Sequence, residues 1–210
     1  MSSAEDLRTE ITRQRQSLRA LESELLELEA SAGGETWRPE RFYLAYYVLA
    51  GMVLGMVAAW VGLGLNVLGA MALGMDDPLK LLRVYSTIIR GADTESSREA
   101  VVLAFAIGLH TITGMFCGAP IHVVLSRWFP KTNLVKRIVV GVVLGLIMWI
   151  VNFYCLLSWI QPLFTGAETS YIVENIPWYV AAGTHVAFTT TIVLLQPLAV
   201  FTPAHYRRAA

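Results

Sequence analysis

Residues 42–75 contain no Asp, Glu, Lys or Arg across 34 consecutive positions. A helix on a water-soluble domain needs a polar face, and this stretch has none. About 20 such residues cross a bilayer, so the run is long enough to span and then project, tilt, or break near Gly62-Leu-Gly64. Three more uncharged runs follow, at 100–126, 138–160 and 176–201. Each is continuously apolar rather than alternating, which excludes a closed β-barrel. The expected fold is an all-α membrane protein. It has four transmembrane helices, at about 42–66, 100–126, 138–160 and 176–201, arranged as two parallel-related helical hairpins. Residues 35–210 form this domain, and residues 1–34 form a cytoplasmic coiled-coil helix ahead of it.

Composition agrees with that class. Hydrophobic residues make up 55% of the 210 residues and charged residues 15%, with a mean hydropathy of +0.54; soluble domains average about a quarter charged. Lys+Arg and Asp+Glu both number 16, so no net positive charge points to nucleic acid. Two cysteines, Cys117 and Cys155, are too few for a disulfide framework or a thiolate metal site, and they fall in different spans. The opening MSSAEDLRTE has no basic stretch leading into an apolar one, so no cleavable signal peptide is expected.

Basic residues set the expected orientation. Arg127, Lys131, Lys136 and Arg137 lie between the second and third spans without an acid, and Arg207 and Arg208 lie in the C-terminal tail. Residues 161–175 hold Glu168 and Glu174 without a base. Both termini are therefore placed in the cytoplasm, with a bacterial inner membrane as the expected location. Between the first two spans, residues 78–90 read as an amphipathic helix lying in the outer interface.

The N-terminal segment repeats apolar positions at 3,4 spacing. Ala4, Ile11, Leu18 and Leu25 take heptad position a, and Leu7, Gln14, Leu21 and Leu28 take position d. The seam either packs on this protein's own loops or docks a partner helix, through Leu7, Ile11, Leu18, Leu21, Leu25 and Leu28. In a parallel pair, Glu10 would attract Arg15 but Glu24 would repel Glu29, which favours a foreign partner with basic flanks.

The two halves share landmarks. Gly51-Met-Val-Leu-Gly55 is matched by Gly141-Val-Val-Leu-Gly145, Pro78-Leu79 by Pro162-Leu163, His110 by His185, and Pro120 by Pro197. These point to an internal repeat. His110 and His185 fall at similar depth and are the leading site residues. Three roles fit them: ligating a haem b iron from opposite faces, bordering a quinone or lipid headgroup, or simply bonding a neighbouring Thr or carbonyl. In the haem reading, Gly108, Gly114 and Gly183 would admit the macrocycle, and Thr111 and Thr184 would orient the rings. His122 and His205 read as solvated or interfacial, and Asn66 and Asn152 as interhelical hydrogen-bonding groups. No span carries an acid or base between its ends, which disfavours ion-coupled transport, and no hydrolase or nucleotide-binding motif is present. The expected function is a non-catalytic accessory or anchoring subunit of a larger inner-membrane complex, with an energy-transducing complex as a plausible host. A homo-oligomeric channel or transporter joined by its coiled coil is the alternative, and an electron-transfer cytochrome is a third reading that requires the haem.

Overall fold

The computed structural model describes residues 4–31, 41–130 and 132–202. They divide into two units, and the described part of the first is essentially one helix, α1, Ala4–Ser31. Ile11, Leu18, Leu21, Leu25 and Leu28 on α1 are all exposed. The side chain of Leu7, and the tail carrying Arg207, Arg208 and His205, lie outside what is described.

The second unit, residues 42–201, is helical wherever it has regular structure. Its long elements are α2, Leu44–Ala72, and α4, Ala100–Trp128. A third long helix runs Leu134–Thr165 and consists of α5, Leu134–Ile150, a π-helical segment, Val151–Leu157, and α6, Ser158–Thr165. The fourth is α8, Trp178–Leu195, extended by a 3-10 turn at Gln196–Ala199. All four are long and apolar enough to cross a membrane. Two short helices, α3, Lys80–Arg90, and α7, Tyr171–Asn175, sit together at one end.

Length differs from expectation at two places. Helix α2 runs unbroken through Gly62 and Gly64 to Ala72. The third span continues to Thr165, so Pro162 lies inside a helix, whereas Pro78 lies in the turn before α3. That pair of landmarks is therefore not equivalent in the two halves. Gly166, at φ +68°, ends α6 in the left-handed conformation, and its N–H donates to the Pro162 carbonyl.

Packing follows from the small residues. Lipid competes with protein for apolar side chains, so close van der Waals contact decides which membrane helices meet. Helices α2 and α4 pack along one another, α5 packs on α8, and α2 also packs on α8. At the first contact Gly51 and Gly55 lie directly against Gly114, Gly118 and Ala119, backbone to backbone. At the second, Gly141 and Gly145 lie against Val193, Thr189 and Val186 of α8. A core of Leu54, Ala58, Leu125, Met148, Phe188 and Ile192 fills the middle.

Helix α3 does not simply rest its apolar side on an interface. It packs against α4, α6 and α7, and it buries polar Arg83, Ser86 and Thr87 along with Leu82 and Val84. Leu79 and Ile89, near the two ends of the segment, are exposed. Gln161 of α6 holds the assembly together. Its amide donates to the carbonyl and hydroxyl oxygens of Thr87, at 3.0 and 3.1 Å, and its Oε1 accepts from Ser170 Oγ and Ile172 N at 2.8 and 3.0 Å. Asp77 adds ion pairs with Arg83 and Arg98, and Glu95 binds Lys80 and the Tyr171 hydroxyl.

Candidate functional site

Within the bundle, α2, α4, α5 with its π segment, α8 and the inner side of α3 line a partly open cavity whose mostly apolar wall carries several uncharged polar side chains. It has about 60 Å³ of room for water centres. About 10–15 Å³ of such room suffices for one water, so the cavity is large enough to be hydrated. The wall carries Asn66, Tyr85, His110, Cys117, Asn152 and His185, with Thr113 and Thr184 beside them. No lining residue is an acid, a lysine or an arginine.

His110 and His185, matched in depth by sequence, thus line one cavity. Asn66 and Asn152 line it too. Of these four half-buried side chains, Asn152 and His185 satisfy each other, and His110 turns to a backbone carbonyl. His185 is fully committed: Nδ1 donates to the Ala181 carbonyl at 2.7 Å, which leaves Nε2 to accept from the Asn152 amide at 3.2 Å. A carbonyl can only accept, so this assignment fixes the tautomer. The same amide lies 3.7 Å from Cys117 Sγ. His110 donates from Nε2 to the Ala59 carbonyl at 3.0 Å, and its ring meets Tyr85 edge-on with centroids 4.7 Å apart.

Asn152 reaches this position from the π segment. A π turn adds a residue to the helical circuit and shifts the side chains that follow, and such turns concentrate at functional sites. Nothing local in Val151–Leu157, neither Gly nor Pro, announces it. Tyr85 is the other unforeseen member, because it belongs to α3 and arrives only through the packing of that helix. Burial pushes its phenol up to about 12, so the hydroxyl stays protonated and remains a donor. Among the described residues, neither the Tyr85 hydroxyl nor the Asn66 amide makes a hydrogen bond within the protein.

The residues present do not fit a haem. Both nitrogens of His185 are engaged, so only His110, through Nδ1, keeps an unprotonated nitrogen free, and bis-imidazole ligation needs one from each ring. Gly114, one of the expected macrocycle contacts, is occupied by Ala59 and Gly55. Thr111 and Thr184 bond carbonyls of their own helices, Ile107 and Val180 with Ala181, rather than the imidazoles. No cluster of three metal-ligating residues occurs among the described residues.

His122 corrects another expectation. It is fully buried rather than solvated or interfacial, because α2 packs against α4 at this level. Tyr47 lies beside its ring, and a Cβ on Gly51 would come within 2.9 Å of the His122 Cβ. Beyond it, Arg137 joins the helices by donating to the Val193 carbonyl and to Gln196, whose amide reaches Ser126 at 3.3 Å. Cys117 and Cys155 are both free thiols. Comparison with protein-family models, curated proteins and solved structures finds no match for this chain.

Proposed function

We propose that this protein is a non-catalytic subunit of a membrane assembly whose bundle borders a binding site for an uncharged, carbonyl-bearing ring headgroup of the quinone class. The observation that carries this reading is the uncharged, mostly apolar cavity with two uncommitted donors, Tyr85 Oη and the Asn66 amide, on its wall. A quinone offers carbonyl acceptors and no charge, which suits such donors in a region without ions. The cavity is too small to enclose a ring. The headgroup therefore presents one carbonyl edge to Tyr85 and Asn66 and leaves the rest at the open side beside exposed Thr113, where a neighbouring subunit completes the site. The committed imidazoles hold the wall in place, and the lack of intramembrane acids separates this site from an ion pathway.

The test is binding of a short-chain quinone to the full chain in lipid nanodiscs, followed by quenching of its tryptophan fluorescence. Saturable binding is expected, weakened roughly tenfold in Tyr85→Phe/Asn66→Leu, as loss of two neutral hydrogen bonds implies. Equal affinity in the wild-type and double-variant proteins, or no saturable binding, would overturn the reading and leave the cavity as a hydrated packing feature.

A further inference from the structure

The first part of helix α1 mixes Arg8, Arg13, Arg15 and Arg19 with Glu5, Asp6 and Glu10, whereas its last part carries acids alone, Glu22, Glu24, Glu27 and Glu29. Its apolar seam is exposed, with Ile11, Leu18, Leu21 and Leu25 each about half accessible. A polar helix with an apolar stripe gains most by covering that stripe with another helix. The charges select which one.

In a parallel pair, position g faces e of the mate. That gives one attraction, Glu10 with Arg15, and one repulsion, Glu24 with Glu29, on each side, so the flanks contribute nothing net. In an antiparallel pair, a faces d and e faces e. The e positions of α1 are Arg8, Arg15, Glu22 and Glu29. Stack Leu18 on Leu21 of a second copy and Ile11 on Leu28 of the second copy. Arg15 then faces Glu22 and Arg8 faces Glu29, and the two-fold axis repeats both pairs. The g flank opposes Glu24 to Ser17 and Glu10 to Ser31, with no like charges. Sliding the helices by one heptad brings Arg15 onto Arg15 or Glu22 onto Glu22, so the register is specified as well as the direction.

We propose that α1 pairs antiparallel with α1 of a second copy of this chain, in the register that joins Arg15 to Glu22 and Arg8 to Glu29. The two Ser31 ends then stand roughly 35 Å apart at ~1.5 Å per residue. Residues 32–40 between α1 and the bundle reach about 30 Å when extended, so both bundles can enter one bilayer. The pairing rests on α1 alone, not on the intramembrane cavity, so loss of quinone binding leaves it standing.

Cross-linking of the full-length protein tests it, in a Cys117→Ser/Cys155→Ser background. Chains carrying Arg15→Cys and chains carrying Glu22→Cys, distinguished by tags of different size, are mixed in mild detergent and treated with a short bismaleimide. The expected product is the mixed dimer, with little Arg15→Cys homodimer. Charge exchange supplies an independent reading. Arg8→Glu/Arg15→Glu should weaken dimerisation roughly 10- to 100-fold, from four lost attractions and four new repulsions, and adding Glu22→Arg/Glu29→Arg should restore it. A wild-type protein that stays monomeric, a predominance of same-residue cross-links, or a failure of the four-fold exchange to rescue would each overturn the pairing. A helical bundle of unchanged circular dichroism in every variant confirms that folding is not what changed.

Discussion

Gly118→Val is expected to prevent the bundle from assembling. A Cβ at position 118 would lie 2.5 Å from the Gly51 carbonyl oxygen and 2.8 Å from the Gly55 nitrogen, closer than real Cβ atoms come. Those neighbours are backbone, so no rotamer change relieves the clash, and α2 must separate from α4 along the seam they share. Overpacking a core costs about 1–3 kcal/mol when side chains can yield; here the expected loss is at or above the top of that range. The seam also carries Ala59, whose carbonyl receives the His110 proton, so separation disrupts the cavity as well. Gly62→Ala on α2, the facing helix, is the control, because nothing lies within 4 Å of the added methyl. The check is the unfolded fraction against denaturant in mixed micelles. Gly118→Val should fail to yield a cooperative transition, while Gly62→Ala should match the wild type.

Gln161→Leu should release the cap formed by α3, α6 and α7. Gln161 is fully buried and makes four hydrogen bonds that join Thr87, Ser170 and Ile172. Leucine fills similar space but strands the Ile172 N–H and the Ser170 hydroxyl. Stranded buried groups cost about 1–3 kcal/mol each, so the expected destabilisation is about 3 kcal/mol or more. The consequence extends to the cavity, because Tyr85 is delivered there by α3. Hydrogen exchange should speed up across residues 80–90 while the α2–α4 contact stays protected. Gln161→Glu keeps the acceptors for Ser170 and Ile172 but loses the donors to Thr87, and should fall between Leu and the wild type.

Sequence reasoning reached the bundle because four long uncharged runs admit only one class of structure. It reached the meeting of His110 with His185 because residue counting along a rigid helix measures depth. Where it missed, the missing quantity was tertiary. The ends of α2 and of the third span lie beyond the length a bilayer requires, and hydropathy does not mark where a helix stops once it has left the apolar layer. His122 was placed by its distance from the end of a run, but α2 packs over it there, with Tyr47 beside its ring and Gly51 against its Cβ. Tyr85 looked like one residue of an interfacial helix, yet the buried Gln161 and Arg83 draw that helix into the protein. The π turn that aims Asn152 at His185 leaves no local signature among Val151–Leu157.

The most direct measurement of the cavity reading is where a quinone lands. Illuminating the full-length protein in nanodiscs with a photoreactive short-chain quinone, then mapping the modified peptides, locates contact without relying on affinity. Labelling should concentrate on α2 around Ala59–Asn66, on α4 around His110–Cys117 and on α3 near Tyr85, and excess unlabelled quinone should suppress it. Uniform, non-competable labelling of the lipid-exposed faces, with those three segments no richer than the rest, would contradict the proposed site.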